Sequence, residues 1–363
     1  MPRNPAPFRR ADLISRRRFL GRGALLGGAV ALGGPALLAA CGDDDDSSGS
    51  SSGGGSSSGG DARTLTFQLG WLKGVQHGGH FAAIEQGYFD EAGIDPTFDS
   101  GGPNIDQISV VSSGQALVGD SGSDELVVAR ASGIPVRAFA AGYQKSPYSM
   151  FSLADDPITT LEGLVGKTVA VSDGSRAQIE GLLEKAGVDY TKVNFVPKNP
   201  DPSVLADGIV DVYTGFSTNE ASVLRLQGVD VVTTFFSDLG APTYANVFFT
   251  TDKALEENRE LLVDFLRADV QGWQWAVDNP AELAEVVVDK YAAEGLEIEP
   301  QTAEAEAQVE LIETGDAVDH GLFWIDAPVF EANIAAALDG GLIDEAIDPE
   351  DVFTQELIAE VHR

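Results

Sequence analysis

The 363-residue chain has one cysteine, Cys41, and only four histidines. A lone thiol excludes disulfides within the chain and zinc or iron sites built on cysteine. It also leaves no thiolate nucleophile beyond that position. Basic residues are scarce: 23 Lys and Arg stand against 57 Asp and Glu, for a formal net charge of −34. Phosphate backbones repel such a chain, which excludes nucleic acid as a partner. Catalytic signatures are missing too. There is no Ser-His-Asp order, no His-Glu-x-x-His and no glycine fingerprint for a dinucleotide. Asp and Glu are so abundant that paired carboxylates carry no information. The one extended apolar stretch, running up to Cys41, is broken by several Gly and by Pro35, which makes it a poor permanent membrane span.

The N-terminus carries an address. "SRRRFLG" (residues 15–21) is basic, an apolar run follows, and small residues precede Cys41 in "LLAAC". This order is the secretory pattern. The arginine pair resembles a twin-arginine export signal, and "LAAC" resembles a bacterial lipoprotein box. Those resemblances imply that residues 1–41 are a signal peptide and that Cys41 is lipidated, anchoring the chain to the outer face of the cell membrane. Residues 42–62 are Gly, Ser and Asp with almost no apolar surface to bury, as expected of a flexible tether. Seven Arg and one Asp precede Cys41, so the remainder has a net charge near −40. Such a body favours a neutral or cationic ligand, although helix N-termini can still bind an anion locally.

About three hundred residues remain, enough for two core-bearing lobes. Strand-like and helix-like segments alternate. "TLTFQLGW" reads as a strand ending at Trp71, "HFAAIEQGYFDEAG" as a helix stopped by Gly93, and "IDPTFDS" as a second strand. "QALVGDSG", "SDELVVARASG" and "IPVRAFAAGY" continue as strand, helix, strand. A second block around "GKTVAVSDGSRAQIEGLLEKAG" repeats the logic, which implies βαβ units and a mostly parallel sheet in each block. From Asp252 onward the pattern is almost wholly helical, with apolar positions at Leu261, Leu262, Phe265, Leu266, Val270 and Trp273. The fold class is therefore α/β, two-lobed, with a cleft between lobes and a helical C-terminal tail. The expected lobes are 63–147 with 247–363, and 148–246. The crossovers are expected in "YQKSPYSMFSLA" and "APTYANVFFTT".

Ligands of open α/β sheets bind at the carboxyl ends of strands, beside helix N-termini. That rule selects the candidate ligand-binding residues. Trp71 offers an indole for offset stacking of a flat heteroaromatic ring. His77 is a hydrogen-bond donor candidate, whereas His80 packs or caps the next helix. A metal is not expected there, because "GVQHGGH" is Gly-broken and no third ligand follows. Ser121, Ser123 and Asp124 in "GDSGSDEL" can aim hydroxyls, a carboxylate and free N–H groups at the cleft, although N-capping would explain them equally. Ser175 in "SDGSRAQ" occupies the matching place in the second lobe. Asn219 and Glu220 in "YTGFSTNEAS" suit the amine and ring nitrogens of an aminopyrimidine, or the cap of the next helix. Tyr143 and Tyr244 fall at the crossovers. Arg176 is the one Arg close to an expected cleft loop.

The order and spacing of "GWLKGVQHGGHFAAIEQGYFDEAGID", "SGQALVGDSGSDELVVARASGIPV", "TTLEGLVGKTVAV" and "NRELLVDFLRADVQGWQWAVDNP" resemble the extracytoplasmic solute-binding proteins of ABC importers. The branch most similar binds thiamine-precursor pyrimidines and is related to sulfonate, taurine and nitrate binders. The spacing of Trp71, His77 and Phe81 resembles the pyrimidine branch. The resemblance implies a two-lobed periplasmic-binding fold (type II) that closes on a hinge, no cofactor, no catalysis, and a membrane permease as partner of a monomeric binder. Alternative ligands are a sulfonate, taurine, nitrate or a riboflavin-type molecule; a stand-alone sensor subunit is a further alternative. A cytoplasmic relative synthesises the thiamine pyrimidine with a Cys-rich iron segment and a Lys and His where this chain has Ser121 and Glu125. The missing Cys cluster and Lys therefore speak for binding rather than synthesis.

Overall fold

The computed structural model describes residues 62–363. The expected signal peptide, the lipidation site Cys41 and nearly all of the tether lie outside the described residues. The described residues form ten strands: β1 (Arg63–Gln68), β2 (Ile94–Asp99), β3 (Val118–Ser121), β4 (Val136–Tyr143), β5 (Tyr148–Leu153), β6 (Thr168–Val171), β7 (Asn194–Pro197), β8 (Val212–Phe216), β9 (Val231–Phe235) and β10 (Ala245–Thr251).

They make two five-stranded mixed sheets of one design. The first has the order β2-β1-β3-β10-β4 and the second β7-β6-β8-β5-β9. In the first, β1 runs parallel to β2 and β3, while β10 is antiparallel to both of its neighbours. In the second, β6 runs parallel to β7 and β8, while β5 is antiparallel to β8 and β9. The chain leaves the first sheet after Tyr143 and returns at Ala245. The boundary expected after residue 246 thus falls inside β10, because pairing with β3 and β4 fixes that strand in the first sheet.

Strand β1 stops at Gln68, three residues short of the sequence expectation, so Trp71 lies in a turn. The following helix also differs. A 3-10 turn (Val75–His77) leads directly into a helix (Gly78–Glu85), so Gly78 and Gly79 are helical and do not break it. Its expected continuation ends at Gly87, whose φ of 78° suits glycine, and a short second helix (Tyr88–Glu91) follows. Gly79 is required by packing. A Cβ there would lie 2.1 Å from the Trp273 ring, on the long helix Arg259–Asp278. Trp273 is 1% exposed and joins Phe67, Phe81, Phe89, Phe248 and Phe265 in the core of the first lobe. The second lobe has its own apolar clusters on the two faces of its sheet, around Met150 and Leu183 and around Phe151 and Tyr213. Among the described residues no helix is long and apolar enough to cross a membrane.

Candidate functional site

A cavity of about 970 Å³ is lined from both lobes. Its walls come mainly from strand-to-helix turns: β3 into the helix Ser123–Ala131, β6 into Asp173–Lys185, and β8 into Glu220–Leu226. The helix Ile298–Ile312 adds Gln301 and Glu304 to the lining.

Trp71 lines the cavity and is 47% exposed, unlike the buried Trp273. Nearby, Gln107 donates to Ser121 Oγ at 3.2 Å and to Glu125 Oε2 at 3.3 Å, and Ser121 donates to Glu125. Asp124 is half-buried and accepts from Gln178 Nε2 of the other lobe at 2.9 Å. Its desolvation, with Glu125 alongside, pushes its carboxyl up to about 6. Across the cavity Ser175 accepts from Ser172 Oγ at 2.9 Å. Glu220 accepts from the Phe216 N–H at 2.8 Å and pairs with Lys198. Asn219 donates to Glu304 Oε2 at 2.7 Å, and Gln301 donates to the same oxygen at 2.9 Å. Burial pushes the Glu304 carboxyl up to about 7 despite those two amide donors. Gln76 and Asn246 bond reciprocally, Nε2 to Oδ1 at 3.1 Å and Nδ2 to the Gln76 carbonyl at 3.2 Å. That pairing holds Asn246 at a φ of 49°, a strained value for a non-glycine residue lining a cavity.

Of the residues singled out in the sequence, the cavity gathers Trp71, Ser121, Asp124, Ser175, Asn219, Glu220 and Tyr244. Three others are corrected. His77 is fully buried and turned toward Asp120, 3.6 Å from its carboxylate, with neither ring nitrogen hydrogen-bonded. It packs behind the cavity wall. Ser123 is fully buried as well. It donates to Asn333 Oδ1 at 2.6 Å and accepts the Tyr244 N–H at 3.0 Å, tying the returning crossover to the first lobe. Tyr143 is buried and donates to Gln308 Oε1 at 3.0 Å, inside the first lobe. Tyr244 borders the cavity but is itself buried, its ring tilted against Phe330. Arg176 is exposed and paired with Glu180 at 2.8 Å. His80 is bonded to Asp269 at 2.7 Å and stacked on Phe98, and no metal-competent cluster occurs among the described residues.

The charge of the cavity is one-sided. Seven carboxylates line it (Asp106, Asp120, Asp124, Glu125, Glu220, Glu304 and Asp339), with Lys185, Lys198 and no Arg. Each Lys is matched, Lys198 by Glu220 and Lys185 by Asp339 at 3.4 Å. Asp120, Gln178, Lys198, Gln301 and Glu304 were not singled out in the sequence. Asp120 lies within "GDSGSDEL", but "AEAEAQVELI" around Glu304 reads only as an acidic helix.

Two matched sheets, two crossings and a polar cavity between them define the two-lobed periplasmic-binding-protein architecture. The chain belongs to the NMT1/THI5-like family, which it matches over residues 75–283. It is 28% identical over 232 residues to a formylaminopyrimidine-binding protein of Halalkalibacterium halodurans, covering 62% of this chain and 70% of that protein. It is 23% identical over 306 residues to the riboflavin-binding protein RibY of Chloroflexus aurantiacus, covering 81% and 86%. A 4-amino-5-hydroxymethyl-2-methylpyrimidine phosphate synthase of Legionella pneumophila is 23% identical over 229 residues, covering 61% and 72%. In fold, the aliphatic sulphonate binding protein SsuA of Escherichia coli superposes with a TM-score of 0.58 at 17% identity, covering 81% of this chain and 92% of that one.

Proposed function

We propose that this protein captures a nitrogen-rich heterocycle, an aminopyrimidine of the thiamine-precursor type, outside the cytoplasm and delivers it to an ABC permease. The observation that carries the reading is the half-exposed Trp71 set in a cavity of carboxyl and carboxamide groups with no Arg. An indole face favours a flat ring. The Glu304, Gln301 and Asn219 cluster offers paired donors and acceptors for ring nitrogens and an exocyclic amine. A sulfonate, taurine or nitrate would meet unmatched carboxylates and no guanidinium. The relative named for formylaminopyrimidine supports the same ligand class.

The lipoprotein-like N-terminus supports a binder held at the outer face of the membrane, and lobe closure supplies capture and release. A synthase has less support, since the chain's one Cys precedes the body and Lys198 is engaged by Glu220. A second reading, a larger fused heterocycle such as a riboflavin-type ligand, is favoured by the cavity volume, at the upper end for drug-sized ligands.

Mass spectrometry of the small molecules released on denaturing the purified protein tests the proposal. An aminopyrimidine is expected, and a sulfonate would refute it.

A further inference from the structure

The turn that carries Trp71 is held by a buried acid that no hydrogen-bonding need of the sheet explains. Asp120 closes toward the end of β3 and is 2% exposed. Its Oδ1 accepts the Gly70 N–H at 2.8 Å, one residue before the indole. On the other side of the indole's backbone, Gly101 donates to the Trp71 carbonyl at 2.9 Å. The fit is tight. A Cβ on Gly70 would lie 2.9 Å from both the Asp120 carbonyl and its Oδ2, and one on Gly101 would lie 2.6 Å from the Trp71 nitrogen.

No Lys or Arg among the described residues pairs with Asp120. Its neighbour is His77, with Nε2 at 3.6 Å, beyond hydrogen-bond reach. His77 in turn lies parallel to His80, ring centroids 6.2 Å apart at 15°, and His80 is pinned by Asp269. A carboxylate buried without a cation is costly. Among the described residues the Gly70 N–H is the hydrogen bond its side chain accepts.

We infer that Asp120 is the positioning residue of the cleft turn, setting the orientation of the Trp71 ring, with His77 as the wall behind it. This rests on Trp71 being the stacking surface proposed above. In Asp120→Ala the Gly70 N–H loses its acceptor, and the ring samples several orientations. In Asp120→Asn the side-chain carbonyl still accepts that N–H, and the ring stays in place.

The test has one arm that needs no ligand. The Trp71 emission is isolated as the difference between each variant and its Trp71→Phe counterpart. In folded Asp120→Ala that emission moves to the red and is quenched more by acrylamide, while Asp120→Asn matches wild type. Gly70→Ala, which pushes the turn off Asp120 without removing the acid, behaves like Asp120→Ala and serves if the latter does not fold. The second arm is a double-mutant cycle on formylaminopyrimidine affinity. Asp120→Ala weakens binding about tenfold, and adds nothing in a Trp71→Ala background. An unchanged Trp71 emission in both Asp120→Ala and Gly70→Ala overturns the inference, as does additivity in the cycle. Absence of formylaminopyrimidine binding by wild type refutes the ligand assignment alone and leaves the fluorescence arm to decide.

Discussion

Trp71 and Glu304 are the two side chains whose behaviour departs most from a packing role. Trp71→Ala removes about half a ring's worth of exposed surface from a turn, so its stability should change by roughly 0.5 kcal/mol or less, while ligand affinity should fall about tenfold. A stability loss larger than the affinity loss, read by melting and calorimetry, would make it a structural residue. Glu304 gives a pH signature. Its folded carboxyl is raised to about 7 from an ordinary 4.5, so the folded state holds the proton more tightly than the unfolded one. Stability from this group is therefore full below pH 4.5 and is lost as pH rises toward 7. Glu304→Gln, which keeps an acceptor for Asn219 and Gln301, should be indistinguishable from wild type in stability at pH 4. By pH 8 it should be more stable than wild type, by up to about 3 kcal/mol. Denaturant melts at the two pH values check it, and a constant difference would exclude the shift.

At this scale the sequence is half legible. Trp71, Asp124, Ser175, Asn219 and Glu220 could be found because they follow strand-to-helix turns, where the chain must approach the cleft. His77 and Ser123 sit in the same turns, and Tyr143 ends a strand, but all three are buried in the wall. Sequence position fixes the turn and leaves open which side of the backbone each side chain takes. Glu304 was invisible because an acidic helix offers many equivalent carboxylates, and only its approach to Asn219 of the other lobe singles it out.

Elements were read more successfully, because periodicity reports burial directly. The long helix Arg259–Asp278 follows the three-and-four spacing, and β1 to β4 fall in the segments expected as strands, but β5 and β10 lie in the two segments expected only as crossovers, and their antiparallel pairing makes both sheets mixed rather than mostly parallel. Among the helices the errors cluster at glycine. Gly78 and Gly79 look like a break but are helical, since close approach of two helices needs the space a side chain would fill. Gly272 makes the reciprocal contact: a Cβ there would lie 2.4 Å from the Gly79 carbonyl and 2.5 Å from the Ala83 Cβ. Gly272→Ala would ordinarily stabilise a helix interior by up to about 1 kcal/mol. Here overpacking should dominate and destabilise the protein by about 1–3 kcal/mol. A melting temperature at or above that of wild type would show that the two helices separate more easily than their spacing implies.

For the whole molecule, three of the side-chain contacts between the lobes lie at the cavity: Gln178 with Asp124, Lys185 with Asp339, and Asn219 with Glu304. None belongs to either lobe's core, so they can form and break as the lobes move. Gln178→Ala removes a contact made only when the lobes meet. It should weaken ligand binding severalfold, chiefly by faster release, with the melting temperature of the free protein unchanged. Equal off-rates in stopped-flow measurements would show that this contact does not hold the lobes together. The two-lobed plan was legible because one strand-helix grammar occurs twice in the chain. The lobe-to-lobe contacts were not, because they join residues far apart in sequence.

The ligand class is tested most directly by titration calorimetry of the purified protein against hydroxymethylpyrimidine, formylaminopyrimidine, riboflavin, taurine and nitrate. Saturable binding of an aminopyrimidine in the micromolar range or tighter, with no heat from taurine or nitrate, is the expected outcome. Tight binding of taurine or nitrate, with no response to any pyrimidine, would contradict it.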